Sequence, residues 1–231
     1  SGFAGITSEI RAGDKMGNLY GYKWRYEDGQ RYLDADGFPE IVTDERVKVG
    51  NAFPDFISSL GSNIKWKGIG FNFLLEYKEG GDLYDSGLRN SIRNGNPLST
   101  LVRDEEVVLS GVMDNGSGGF ITNTTPALID QDYYRNSNVY NRAAEVLVQD
   151  ASWVKLRNVS LSYDMDNKFT KDLKMEKLSF SVSASNILVW TPFDGYDPEG
   201  NQYSAGSNVY GFTGLSVPLS QSYSFGLNIS F

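Results

Sequence analysis

Tyr223-Ser224-Phe225-Gly226-Leu227-Asn228-Ile229-Ser230-Phe231 is the stretch that decides the fold. Every odd position is large and apolar or aromatic, and every even position is small or polar. That is period-two alternation over nine residues, the signature of a strand with two unlike faces. Nine to eleven residues is also the length that a tilted strand needs to cross a bilayer. The pattern runs to the last residue, Phe231, with no polar tail after it.

Four more segments read the same way. In residues 56–66 the even positions hold Phe56, Leu60, Ile64 and Trp66, with Ser58 and Ser62 as weak members. After a tight turn at Lys67-Gly68, the odd positions Ile69, Phe71, Phe73, Leu75 and Tyr77 take over. Leu178, Phe180, Val182 and Ala184 alternate with serines, in a strand expected over 178–188. In 153–163 the parity changes, from Val154 and Leu156 to Val159, Leu161 and Tyr163. A one-residue bulge near Arg157-Asn158 puts all five on one face.

Charge placement fits these strands. The five segments contain four charges, Lys65, Glu76, Lys155 and Arg157, while the rest of the chain carries 46. All four fall on the face opposite the apolar one. A lipid-facing Lys or Arg near a membrane midplane costs about 2–4 kcal/mol, so a barrel keeps them on the lumen side. Phe71, Phe73, Leu75, Phe180, Val182, Phe225, Leu227 and Ile229 are then expected to face lipid.

The connections are unequal. Lys67-Gly68 is a two-residue turn and 164–177 a modest one, whereas 12–55, 78–152 and 189–222 are long and rich in turn residues. Short turns at one end and long loops at the other are the outer-membrane pattern, with the long loops extracellular. A strand tail is expected near residues 3–11. Asn96-Pro97 followed by Leu101, Val102, Val108 and Leu109 predicts a short capped helix.

Composition narrows the function classes. The chain has no cysteine and no histidine, which removes disulfides, thiolate metal sites and the commonest general base. Carboxylate-only catalysis survives that filter. A net charge of −8 argues against nucleic-acid binding. No run of 18 apolar residues exists, which excludes a membrane helix and leaves a membrane barrel open.

The acidic turns Asp194-Gly195-Tyr196-Asp197-Pro198-Glu199 and Asp34-Ala35-Asp36-Gly37 read as turns rather than calcium loops. The loop aromatics Tyr133, Tyr134, Tyr140 and Trp190 are candidates for stacking on a sugar ring; packing within the loop is the plainer reading. Alternation of this kind also builds soluble sandwiches with one wet face, such as a carbohydrate-binding module. Two features favour the barrel: the aromatic terminus, and aromatics at segment ends (Trp66, Tyr77, Tyr163, Trp190 and Tyr223), as in the girdles at a membrane interface.

An ordered set of motifs resembles one family, the SusC/RagA-like TonB-dependent transporters of Bacteroidetes outer membranes. The set comprises Tyr20-Gly21-Tyr22-Lys23, Gly50-Asn51-Ala52-Phe53-Pro54-Asp55-Phe56, Gly80-Gly81-Asp82-Leu83-Tyr84 and residues 151–163. It continues with 182–191, Gly195-Tyr196-Asp197-Pro198-Glu199, and the closing strand 223–231.

The resemblance implies the C-terminal strands of a plugged antiparallel barrel of about 22 strands, which five or six strands cannot close alone. It implies import of oligosaccharides or peptides across the Gram-negative outer membrane, driven by TonB-ExbB-ExbD through a plug outside this chain. The expected partners are that plug and the rest of the barrel, a SusD-like surface lipoprotein, the barrel-assembly machinery and lipid, with no nucleic acid, cofactor, metal or catalytic residue. Tyr223, Phe225, Leu227, Ile229 and Phe231 resemble the signal that the assembly machinery reads. A passive porin or adhesin barrel is the other membrane reading.

Overall fold

The structure is a computed structural model that describes all residues except 1, 4, 136–142, 166–167, 173, 204–208 and 215–216. It divides into two compact units that the chain visits in turn.

One unit is a sheet of five long strands: β1 (Pro54–Trp66), β2 (Ile69–Gly80), β3 (Trp153–Met165), β4 (Lys177–Trp190) and β5 (Ser222–Ser230). They pair antiparallel, in chain order, as β5-β4-β3-β2-β1. A two-residue turn joins β1 to β2, and a connection that holds the short helix Lys168–Asp172 joins β3 to β4. The β1–β2 turn has Lys67 at φ 46° and Gly68 at φ 85°. Two positive φ values in a two-residue loop match the right-handed twist of the flanking strands. The Asp164 amide donates to the Gly68 carbonyl at 2.7 Å, which ties this turn to the end of β3.

Four of the strands, at 12 to 14 residues, are longer than the alternation alone defines. Their added ends carry Asp55, Lys78, Glu79, Asp164 and Lys177, so charge collects at the two rims of the sheet. A register shift lies between Leu156 and Asn158, against both β2 and β4. This is the bulge that the parity change requires. Asn186 on β4, at φ 55°, absorbs the irregularity from the other side.

The second unit comprises residues 1–53, 81–151 and 193–216. Short strands Gly2–Phe3, Ile6–Ser8, Asn18–Gly21 and Val47–Asn51 form a four-stranded sheet. Asp82–Asp85 pairs antiparallel with Val148–Asp150 and parallel with Phe212–Thr213. The long connections therefore carry a core of their own, in which Ile6, Leu19, Tyr84, Ile92, Ile129, Ala144, Leu147 and Phe212 are buried together.

The helix expected after Pro97 is not formed as such. Residues Leu98–Thr100 make a single 3-10 turn, and Glu105–Val108 is a strand paired with Pro126–Ile129. The β-branched pair Val107-Val108 goes to the strand, as its stiff χ1 favours. The helix sits earlier, as α1 (Ser86–Arg93). Asp85 caps it, accepting the Leu88 amide at 2.8 Å, and Asn94 follows its last turn. A second short helix, α2, covers Gln131–Arg135, where Asp130 accepts the Tyr133 amide at 3.0 Å.

Candidate functional site

The functional geometry of the sheet unit lies in its cross-strand rows. Residues directly opposite in an antiparallel ladder share a face. On one face, Ile64, Phe71, Leu161, Val182 and Phe225 follow one another across all five strands. So do Trp66, Ile69, Tyr163, Phe180 and Leu227. Phe73, Val159, Ala184 and Tyr223 make a third row, and Leu60, Leu75, Leu156 and Leu188 a fourth. Ile229 continues the same face opposite Leu178.

The opposite face carries different chemistry. Asn63, Asn72, Ser160, Ser183 and Ser224 form one row, and Lys65, Gly70, Ser162, Ser181 and Gly226 the next. Toward the long-loop end of the strands, Glu76 lies opposite both Ser59 and Lys155. Arg157 Nε donates to Glu76 Oε2 at 2.6 Å, and Trp153 backs both cations: the Arg157 guanidinium is 4.7 Å and Lys155 Nζ 5.3 Å from its ring centroid. Leu74 and Val189 are apolar members of this polar face.

The apolar rows are open. Phe225 is 82% exposed, Leu227 61% and Leu161 54%, and Phe71, Phe180, Val182 and Ile229 are exposed as well. Phe73 and Leu75 are half-buried by their neighbours. An exposed apolar area continuous over five strands is far beyond the scattered apolar residues of a soluble monomer surface. A water-soluble sandwich would cover it with a second sheet.

The loop aromatics are placed unequally. Tyr133 and Tyr134 are buried in the core of the second unit, with Tyr134 Oη donating to the Val102 carbonyl at 2.8 Å, so neither ring is open for stacking. Tyr140 lies outside the described residues. Trp190 is 54% exposed at the end of β4, opposite Val154. The acidic turns are hydrogen-bonded turns: Asp34 Oδ1 accepts the Asp36 and Phe38 amides, and Asp197 Oδ1 accepts that of Glu199.

Two features of the second unit escaped the sequence reading. One is a set of guanidinium groups stacked on aromatic rings: Arg11 on Tyr20, Arg25 on Tyr32, Arg31 on Trp24 and Arg46 on Tyr22. The alternation of Tyr20, Tyr22, Trp24 and Tyr26 was its visible signal. The other is a cleft of about 410 Å³ beside the C-terminal end of α1, lined by Arg93, Arg103, Arg135, Asp104 and Asp130 among others. Its three arginines come from three separate segments, so no local pattern marked it. Burial pulls the Arg89 pKa down from its ordinary value, and the nearby Arg93 charge adds to the shift.

Burial also pushes the Asp85 carboxyl above the usual carboxylate range, against the opposing pull of the Leu88 and Gly87 amides that it accepts; the neighbouring Asp194 charge adds to the rise.

No protein-family model matches the chain. Among known proteins it is similar to TonB-dependent receptor P3 of Formosa agariphila, 24% identical over 97% of this chain and 23% of that protein. TonB-dependent receptor P26 of the same organism is 26% identical over 88% of this chain and 20% of its own length. Among solved structures, the RagAB peptide importer in its closed-closed state superposes with a TM-score of 0.58 at 17% identity, covering 93% of this chain and 24% of that one. The open-open state gives 0.56 at 16% identity, covering 96% of this chain and 24% of that one. The chain therefore has the fold of about a quarter of the RagAB importer and is similar along nearly its whole length to TonB-dependent receptors, while spanning about a quarter of the relatives it matches.

Proposed function

We propose that this chain supplies wall and outer mouth to a transporter that imports nutrients, oligosaccharides or peptides, across the outer membrane. The observation that carries the reading is the two-faced sheet: apolar rows run from strand to strand on one side, with polar rows, one of them starting at Lys65, and one charged cluster on the other. Phe71, Phe73, Leu75, Phe180, Val182, Phe225, Leu227 and Ile229 then face lipid. Lys65, Glu76, Lys155 and Arg157 line the lumen. The strands leave β1 and β5 with one unpaired edge each within the sheet. In lipid such edges must be met by further strands, since unsatisfied backbone groups cost several kcal/mol each.

Energy coupling through TonB-ExbB-ExbD, a plug in the lumen and a SusD-like lipoprotein over the mouth complete the proposal. They rest on the similarity to TonB-dependent receptors and to the RagAB importer. Residues 81–151 and 193–216 are then extracellular, and the Lys67-Gly68 turn is periplasmic. Protease sites inserted at Gly116 and at Gly68 of the whole transporter test this arrangement on intact cells. Cleavage at Gly116 alone, with cleavage at Gly68 only after the periplasm is opened, is the expected result. The reverse order overturns it.

A further inference from the structure

The arginine-lined cleft beside α1 is lined by no residue of the five long strands, and Ile92 and Tyr134 bring the edge of the core to it. Its floor is fixed by hydrogen bonds. Arg103 Nε donates to the Thr100 carbonyl at 2.8 Å and its Nη2 to the Gly95 carbonyl. Thr100, fully buried, donates through Oγ1 to the Pro97 carbonyl at 2.7 Å. The Gly95 and Asn96 amides return to Ile92 and Ser91 at the end of α1. The Asp104 amide donates to the Ile129 carbonyl at 2.7 Å, which joins this loop to the segment that opens α2.

Such a framework holds Nε and Nη2 of the Arg103 guanidinium and leaves Nη1 with no partner among the described residues. Arg93, from the last turn of α1, and Arg135, from the last turn of α2, line the same cleft. Asp104 and Asp130 also line it, and Asp130 is engaged at its Oδ1 by the Tyr133 amide. Three guanidinium groups against two carboxylates leave the cleft positive, in a chain whose net charge is −8. A guanidinium nitrogen held rigid by its neighbours' hydrogen bonds is suited to a charge-assisted hydrogen bond to a carboxylate or similar oxyanion. Holding it in advance removes the ordering cost of binding. A cleft of about 410 Å³ lies in the range of small-ligand sites and has room for a sugar residue or an amino-acid side chain of a longer oligomer.

We propose that this cleft is a subsite for a carboxylate group carried by the transported oligomer, with Arg103 as the fixed donor and Arg93 and Arg135 as flanking charges. The inference rests on the import reading above and narrows its cargo to acidic oligomers. The carboxylate has two sources, a uronic acid or an acidic peptide, and paired probes separate them. The test uses the whole transporter, purified from outer membranes, in which heat-modifiability first establishes a folded barrel. Failure at that step sinks the import reading and is distinguishable from failure of the subsite.

Binding is then measured by calorimetry for trigalacturonate and its methyl ester, and for triglutamate and triglutamine. One acidic probe is expected to bind at least about tenfold more tightly than its neutral partner, the effect of one charge-assisted contact. In Arg93→Gln/Arg135→Gln that preference is expected to fall by about tenfold or more, with binding of the neutral partner unchanged. Arg103→Lys, which keeps the charge but not the hydrogen bonds that hold the donor in place, is expected to lose part of it. No charge preference in either pair up to millimolar concentration, or a preference that survives the double substitution, overturns the proposal.

Discussion

Placing an arginine at Phe73 is the most informative single perturbation of the sheet. β2 presents Ile69, Phe71, Phe73, Leu75 and Tyr77 on the apolar face, each opposite an apolar, aromatic or serine neighbour on β1 and β3. Eight residue steps at about 3.4 Å each span roughly 27 Å along the strand. A tilt of about 35–45° reduces this to roughly 19–22 Å of height, close to the apolar band of about 25 Å in outer-membrane barrels. Phe73 is the middle residue of the five and lies about 10 Å from either end of that band by the same geometry. Phe73→Arg is therefore expected to cost about 2–4 kcal/mol, and Ile69→Arg, at the turn end, about 0–1 kcal/mol. Asn72→Arg, one residue away on the polar face, is expected to cost less than Phe73→Arg by at least about 1 kcal/mol. At about 1.4 kcal/mol per tenfold, the folded-to-unfolded ratio falls roughly 30- to 1,000-fold for Phe73→Arg. The assay is denaturant-dependent folding of the whole transporter into phospholipid vesicles, read as heat-modifiable mobility. Equal losses for Asn72→Arg and Phe73→Arg would refute the assignment of the two faces.

Three further outcomes are expected. Gly68→Val destabilises the β1–β2 turn by about 1 kcal/mol or more, because Gly68 sits at φ 85° and a Cβ there would meet the Asp164 carbonyl oxygen at 2.6 Å; folding yield of the variant measures it. Asp85, whose folded pKa is raised, binds more protons folded than unfolded. Its contribution to stability is therefore greatest at acid pH and declines as pH rises from the ordinary carboxylate value through the raised one. Asp85→Asn keeps a cap and removes this slope, which hydrogen exchange at the Leu88 amide across about pH 4 to 8 would show, on the order of one protonating group. Deleting Phe231 lowers the amount of folded transporter in the outer membrane while uptake per folded molecule stays the same; normal insertion with reduced normalised uptake would point instead to a part in transport.

What the sequence revealed and what it hid divide along a physical line. A strand with one apolar and one polar face repeats every two residues, so β2, β4 and β5 were legible from alternation alone. The β3 bulge was legible because it shifted Val159, Leu161 and Tyr163 out of phase with Val154 and Leu156. The second unit was not legible, because its strands are two to five residues long and its core is assembled from three separate stretches. Tyr84 meets Phe212 with ring centroids 5.8 Å apart, a contact across 128 positions that no local pattern encodes. Pro97 suggested the right kind of element in the wrong place: the cap is Asp85, and Leu88 and Ile92 carry the helical spacing. The cleft escaped for the same reason, since Arg93, Arg103 and Arg135 converge only through the packing of α1, α2 and the intervening loop.

The central claim is that one face of this sheet meets lipid and the other a polar lumen. The absence of cysteine in this chain makes a nitroxide scan clean here. Single cysteines at each position from Tyr223 to Ser230, labelled in the whole transporter in vesicles, report collisions with oxygen, which enters lipid, and with a water-soluble nickel chelate. Oxygen accessibility should peak at 223, 225, 227 and 229, and be low at the even positions. Uniform accessibility to the nickel chelate, or alternation in the opposite phase, would contradict the account.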